Sequence, residues 1–161
     1  MEHTTFIVLD VHKAAISVAV AQGTRGGEVR HWGSVPHRPY QIRKRVEKLA
    51  AGGAQLHFCY EAGPCGYSLH RQLVKMGHDC IVVAPSLIPV MAGDRVMTDR
   101  RDALMLAKLH RAGKLTGVWV PDGAHEAMRD LVRDRATAVQ VSDASLPRND
   151  GSLKIRHGRV H

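Results

Sequence analysis

The chain has 161 residues, with 23 Lys and Arg against 15 Asp and Glu and a formal net charge of +8. That length supports one domain with a real core and is short for two, and the surplus of cations favours polyanionic partners, nucleic acid before anionic membrane. No apolar run approaches a membrane span and no leader pattern opens the chain, while three cysteines without zinc-ligand spacing fit a reduced, cytoplasmic protein. Aromatic residues are scarce, which argues against base-stacking binders of the single-strand type.

Strands are expected at 6–11 and 15–21, joined by the polar turn His12-Lys13-Ala14, and a glycine-rich turn over 23–27 leads to a third at 29–35. Gaps this short point to antiparallel hairpins. A helix over 39–51 follows, with Ile42, Val46, Leu49 and Ala50 on one face and Arg43, Lys44, Arg45 and Lys48 on a face read as solvated. Gly52-Gly53 ends it. Next come a strand at 55–61, a helix over 67–76 closed by Gly77, a strand at 80–84, and a helix over 99–112 closed by Gly113. A short strand at 117–120 and a last helix over 124–139 complete the pattern. The order β-β-β-α-β-α-β-α is that of an α/β, ribonuclease H-like (RuvC-like) fold, a mixed sheet flanked by helices. From Ser142 the periodicity stops and turn formers take over. The reading is therefore a domain over 1–139 and a loose basic tail over 140–161.

Four carboxylates stand out against this pattern. Asp10 ends the apolar run Phe6-Ile7-Val8-Leu9, Glu61 ends Leu56-His57-Phe58-Cys59-Tyr60, and Asp99 and Asp102 open a helix three residues apart, on one side of it. Each has a plainer role open to it. Asp99 can cap the helix and Asp102 can favour its dipole, while Asp10 and Glu61 can turn to solvent at strand ends. Together they behave differently. Unit charges about 4 Å apart repel by roughly 4 kcal/mol per pair at an effective dielectric near 20, so such a cluster persists around cations. Two magnesium ions match four carboxylates and can clamp both reacting oxygens of a phosphoryl transfer.

Four segments carry a resemblance: Val8-Leu9-Asp10-Val11-His12-Lys13, Cys59-Tyr60-Glu61-Ala62-Gly63-Pro64-Cys65-Gly66, Val83-Ala84-Pro85-Ser86, and Gly93-Asp94-Arg95-Val96-Met97-Thr98-Asp99-Arg100-Arg101-Asp102-Ala103. Together they resemble the DEDD-type insertion-sequence transposases of the IS110 family, relatives of the Piv invertases, over about residues 6–139. The resemblance implies a RuvC-like catalytic domain in which Asp10, Glu61, Asp99 and Asp102 bind magnesium for DNA strand cleavage and exchange. It also implies a separate C-terminal domain with a serine nucleophile, DNA as substrate, and a guide (bridge) RNA as partner. Homo-oligomers or association with full-length transposase are further expectations. The serine domain has no counterpart in these 161 residues, so the chain is expected to be truncated and incomplete alone. Met91 and Met97 stand where family members often carry basic residues.

Arg95, Arg100, Arg101 and Lys13 flank the acids and are candidate phosphate contacts, arginine being suited to paired oxygens. Gly63-Pro64-Cys65-Gly66 is a tight turn sooner than a phosphate cradle, since the Lys-Ser/Thr of a nucleotide loop is missing. Eleven scattered histidines form no ligand-spaced cluster. The rival reading is a non-catalytic nucleic-acid-binding remnant or regulator of full-length transposase, in which the charge matters and the acids do not. A nucleotide-binding ATPase on the same fold would need a glycine-rich turn where His12-Lys13-Ala14-Ala15 stands.

Overall fold

The structure, a computed structural model, describes residues 3–63, 65–89 and 99–145, apart from the side chains of 99–101 and 139–145. Five strands form one mixed sheet: β1 (Thr4–Val11), β2 (Ala15–Gln22), β3 (Val29–Pro36), β4 (Gln55–Glu61) and β5 (Asp79–Val83). Their order is β3-β2-β1-β4-β5. β1 and β2, and β2 and β3, are antiparallel hairpins, whereas β4 pairs parallel with β1 and β5 parallel with β4. Helices α1 (Pro39–Ala50) and α2 (Ser68–Lys75) make the two parallel crossovers. This mixed sheet flanked by helices is the α/β, ribonuclease H-like class expected from the element order.

Because successive strand residues face opposite sides, the apolar runs of β1 and β4 supply two cores. Ile7, Leu9, Phe58 and Tyr60 pack with Ile42, Val46, Leu69 and Leu73 of α1 and α2. On the other face Val8, Ala19, Ala21, Cys59 and Val83 pack against Ala103, Leu106 and Ala107 of α3 (Asp99–Arg111). A sheet covered on both faces needs apolar residues at successive positions, which is why these strands read as unbroken hydrophobic stretches. Cys59 and Tyr60 are therefore both core, on opposite sides.

Three local details differ from the sequence reading. The strand expected at 117–120 is a single antiparallel bridge between Gly117 and Val83, with the Val118 amide donating to the Val82 carbonyl at 2.7 Å. Helix α4 (Gly123–Ser145) continues past 139, since nothing from 139 to 145 is a glycine or proline that would end it. Arg45, placed on a solvated face, instead donates to the Trp32 carbonyl at 3.2 Å and the Ser34 carbonyl at 3.3 Å. Its guanidinium also sits 5.5 Å from the Trp32 ring centre, tying α1 to β3. Of the tail expected over 140–161, residues 140–145 are helical instead, and the part from 146 onward lies outside the described residues. The chain divides into two compact units between Val120 and Pro121, and α4 belongs to the second. Among the described residues no helix is long and apolar enough to cross a membrane.

Candidate active site

The parallel pairing of β1 and β4 sets Leu9 opposite Tyr60. The next residue on each strand is a carboxylate, Asp10 and Glu61, so both acids emerge side by side at the carboxyl ends of adjoining strands. By alternation they share the face of Val8 and Cys59, the face that α3 covers.

Contacts at the other end of α3 fix how it lies. His110, buried, has Nε2 3.1 Å from the His57 carbonyl and meets the Phe6 ring edge-on at 5.1 Å between centres. Arg111 donates to the carbonyls of Gln22 at 3.2 Å and Gly27 at 2.7 Å. From Phe6 to Asp10 the strand rises about 13 Å, and from His110 back to Asp102 the helix rises about 12 Å. The helix therefore carries Asp102 level with Asp10 and Glu61. Their charges meet there: burial, then the Asp10 carboxylate, then that of Asp102 raise the Glu61 pKa above the ordinary carboxylate value. Glu61 remains solvent-exposed, so its desolvation is partial.

Asp10 has a partner that sequence reasoning missed. His12 Nε2 lies 3.1 Å from Asp10 Oδ2, where a ring N–H can donate to the carboxylate. The His12 carbonyl is in turn 2.9 Å from His37 Nδ1. The available signal was the spacing Asp-x-His at a strand end, where alternate residues point the same way. Lys13 is exposed in the β1–β2 turn, closed by a 2.9 Å bond from the His12 amide to the Ala15 carbonyl.

The remaining sequence candidates divide simply. Asp99, Arg100 and Arg101 form the first turn of α3, but their side chains lie outside the described residues, as does Arg95 altogether. Among the described residues, no three His, Cys, Asp or Glu form a group that could hold a metal ion as they stand. The donor chemistry nevertheless suits a hard divalent cation: oxygens only, from three rigid elements, with like charges already raising one pKa. Thiolate ligation is disfavoured, since burial pushes the Cys80 thiol up to about 12 and Cys59 higher still. Gly66 has φ +68° and its amide donates to the Gly63 carbonyl at 3.2 Å, so that amide is used within a turn and not offered to a phosphate.

Residues 7–148 match the transposase family of the DEDD, IS110 type. The chain belongs to that family. Among curated relatives of this transposase-family chain, the Sinorhizobium fredii protein named "Putative transposase y4qE" is 50% identical over 97% of this chain and 40% of its own length. The Leptospira borgpetersenii "Transposase for insertion sequence element IS1533" is 36% identical over 84% of this chain and 39% of its own. The chain thus spans about two fifths of the length of the relatives it matches. A solved structure, the Thermoplasma acidophilum Pelota protein, overlays 88% of this chain and 42% of its own at 11% identity, with a TM-score of 0.39 too low to argue from.

Proposed function

We propose that this chain acts in DNA transposition as the divalent-metal-binding, strand-cleaving domain of an IS110-type transposase. Asp10, Glu61 and Asp102, with Asp99 on the same helix, would hold the metal, magnesium being the ion the family resemblance implies. The observation carrying this reading is the pairing of Leu9 with Tyr60, which sets Asp10 and Glu61 side by side at adjoining strand ends, with Asp102 of α3 near enough to add its charge to Glu61.

The chain's own residues have separate tasks. The four carboxylates would hold the ion, and His12 holds Asp10 in place through its 3.1 Å contact. Lys13, Arg95, Arg100 and Arg101 are assigned to the DNA backbone. A divalent cation held by the carboxylates would supply Lewis-acid chemistry for phosphodiester cleavage. The nucleophile, a serine by resemblance, belongs to the part of the relatives that this chain does not span. Guide RNA and a second copy of the chain are the partners that the same resemblance implies.

The test is thermal melting with and without magnesium or manganese. Anything that binds only the folded chain stabilises it, by about 2.7 kcal/mol at a hundred times Kd. Asp10→Asn with Glu61→Gln abolishes the shift on this reading. A shift unchanged in that double variant would leave the non-catalytic nucleic-acid-binding reading in its place.

A further inference from the structure

On the sheet face opposite α3, a groove of about 730 Å³ runs between α1 and α2. Its size falls among ligand clefts, which span about 300–1,000 Å³. Ile42 and Leu69, both buried, form its floor. Arg43 lines one wall and Arg71 and Lys75 the other, and no Asp or Glu is among the lining residues. Gln72 donates to the Pro39 carbonyl at 2.7 Å and braces the two helices.

Two features say what the groove accepts. Tyr40, on its lip, is 70% exposed, one of the few large apolar side chains left open on this unit. A tyrosine ring beside cations suits an unpaired base next to its phosphate, whereas a duplex offers no open base face. His37 also lines the groove, and its Nδ1 is 2.9 Å from the carbonyl of His12, in the turn that carries Lys13 beside Asp10. The groove therefore begins where the acid-bearing end of the sheet stops.

We propose that the α1–α2 groove binds the backbone of single-stranded DNA, with Arg43, Arg71 and Lys75 on phosphates and Tyr40 against one base. Scarce aromatics exclude a long stacking platform but not a clamp of one or two nucleotides. The choice of DNA rests on the transposase reading above, while the groove's chemistry does not depend on the acids.

Fluorescence anisotropy of a short labelled oligothymidylate, in EDTA over a range of salt, tests it. Arg43→Glu with Lys75→Glu is compared with Lys44→Glu and Lys48→Glu, which remove equal charge from exposed positions outside the groove. The groove pair should weaken binding about tenfold or more and flatten the salt dependence, with the control pair losing less than about threefold. Tyr40→Ala should cost roughly fivefold or more with the salt slope unchanged. Equal losses in the two pairs would overturn the proposal, as would duplex DNA or RNA losing more than oligothymidylate in the groove pair. If the glutamates prevent folding, Arg43→Gln with Lys75→Gln carries the same comparison. Magnesium-dependent melting should survive the groove variants. Its absence from the unaltered chain, with the groove effect intact, would remove the metal reading and leave the groove.

Discussion

Glu61 is where like charges are felt, and its sign has a consequence. A carboxylate whose folded-state pKa is raised favours the folded chain most below its ordinary pKa, and that contribution is lost as pH rises through the raised value. In EDTA, Glu61→Gln should therefore raise the melting temperature near pH 7 by about 1–3 °C, the scale of exposed charge interactions in a chain this size. Near pH 4 it should change little. A lower melting temperature at pH 7 would mean that Glu61 is held by donors and not repelled by acids. Arg45 behaves in the opposite sense. Arg45→Ala removes two bonds to carbonyls and a ring contact and should cost about 1–2 kcal/mol by denaturant unfolding, while Lys44→Ala stays within about 0.5 kcal/mol. Both were alike as letters: a basic residue one place from another on an amphipathic helix. Only the position of Trp32 across the gap distinguishes them, and that is a tertiary fact. His12 was legible only as the local spacing Asp-x-His, since its pairing with Asp10 also depends on the turn that follows β1.

Elements were more legible than contacts. Unbroken apolar runs announced β1 and β4, and the i, i+3, i+4 pattern of Ala103, Leu106, Ala107 and His110 announced α3. The order in which strands pair, and which face α3 covers, emerge only from packing, because both faces of β1 are equally apolar. Glycine marked helix ends correctly for a stated reason. Gly113 has φ +66°, and its amide and that of Lys114 donate to the carbonyls of His110 and Leu109, closing α3. Gly113→Ala should cost about 1–2 kcal/mol, the strain of a left-handed residue bearing a Cβ. Gly52→Ala, in open space and outside that region, should be neutral within about 0.5 kcal/mol. Equal costs at the two positions would remove the capping argument. The extent of α4 was not legible because the sequence from Ser142 onward shows no apolar periodicity.

For the whole molecule, charge and acids make separable contributions. Binding to DNA should weaken steeply with salt in the unaltered chain and nearly equally in Asp10→Asn, since that change alters a net charge of +8 by only one. Denaturing electrophoresis after incubation with labelled DNA and magnesium should show no covalent adduct, because the nucleophile is assigned outside this chain. A stable adduct would reassign it to one of these 161 residues.

The strand order β3-β2-β1-β4-β5 also describes a schedule. As the chain leaves the ribosome, β1 to β3 can pair locally, β4 then adds to the free edge of β1, and β5 to the free edge of β4, so no earlier pair must open. The last arrival among these elements is α3, which brings both the covering for Val8, Ala19, Cys59 and Val83 and the acid Asp102. Synthesis halted after Ile88 would leave five paired strands with one oily side bare. The nascent chain's vulnerable interval thus closes with the same helix that brings in Asp102, and a stalled product should be caught by chaperones or precipitate instead of persisting in solution.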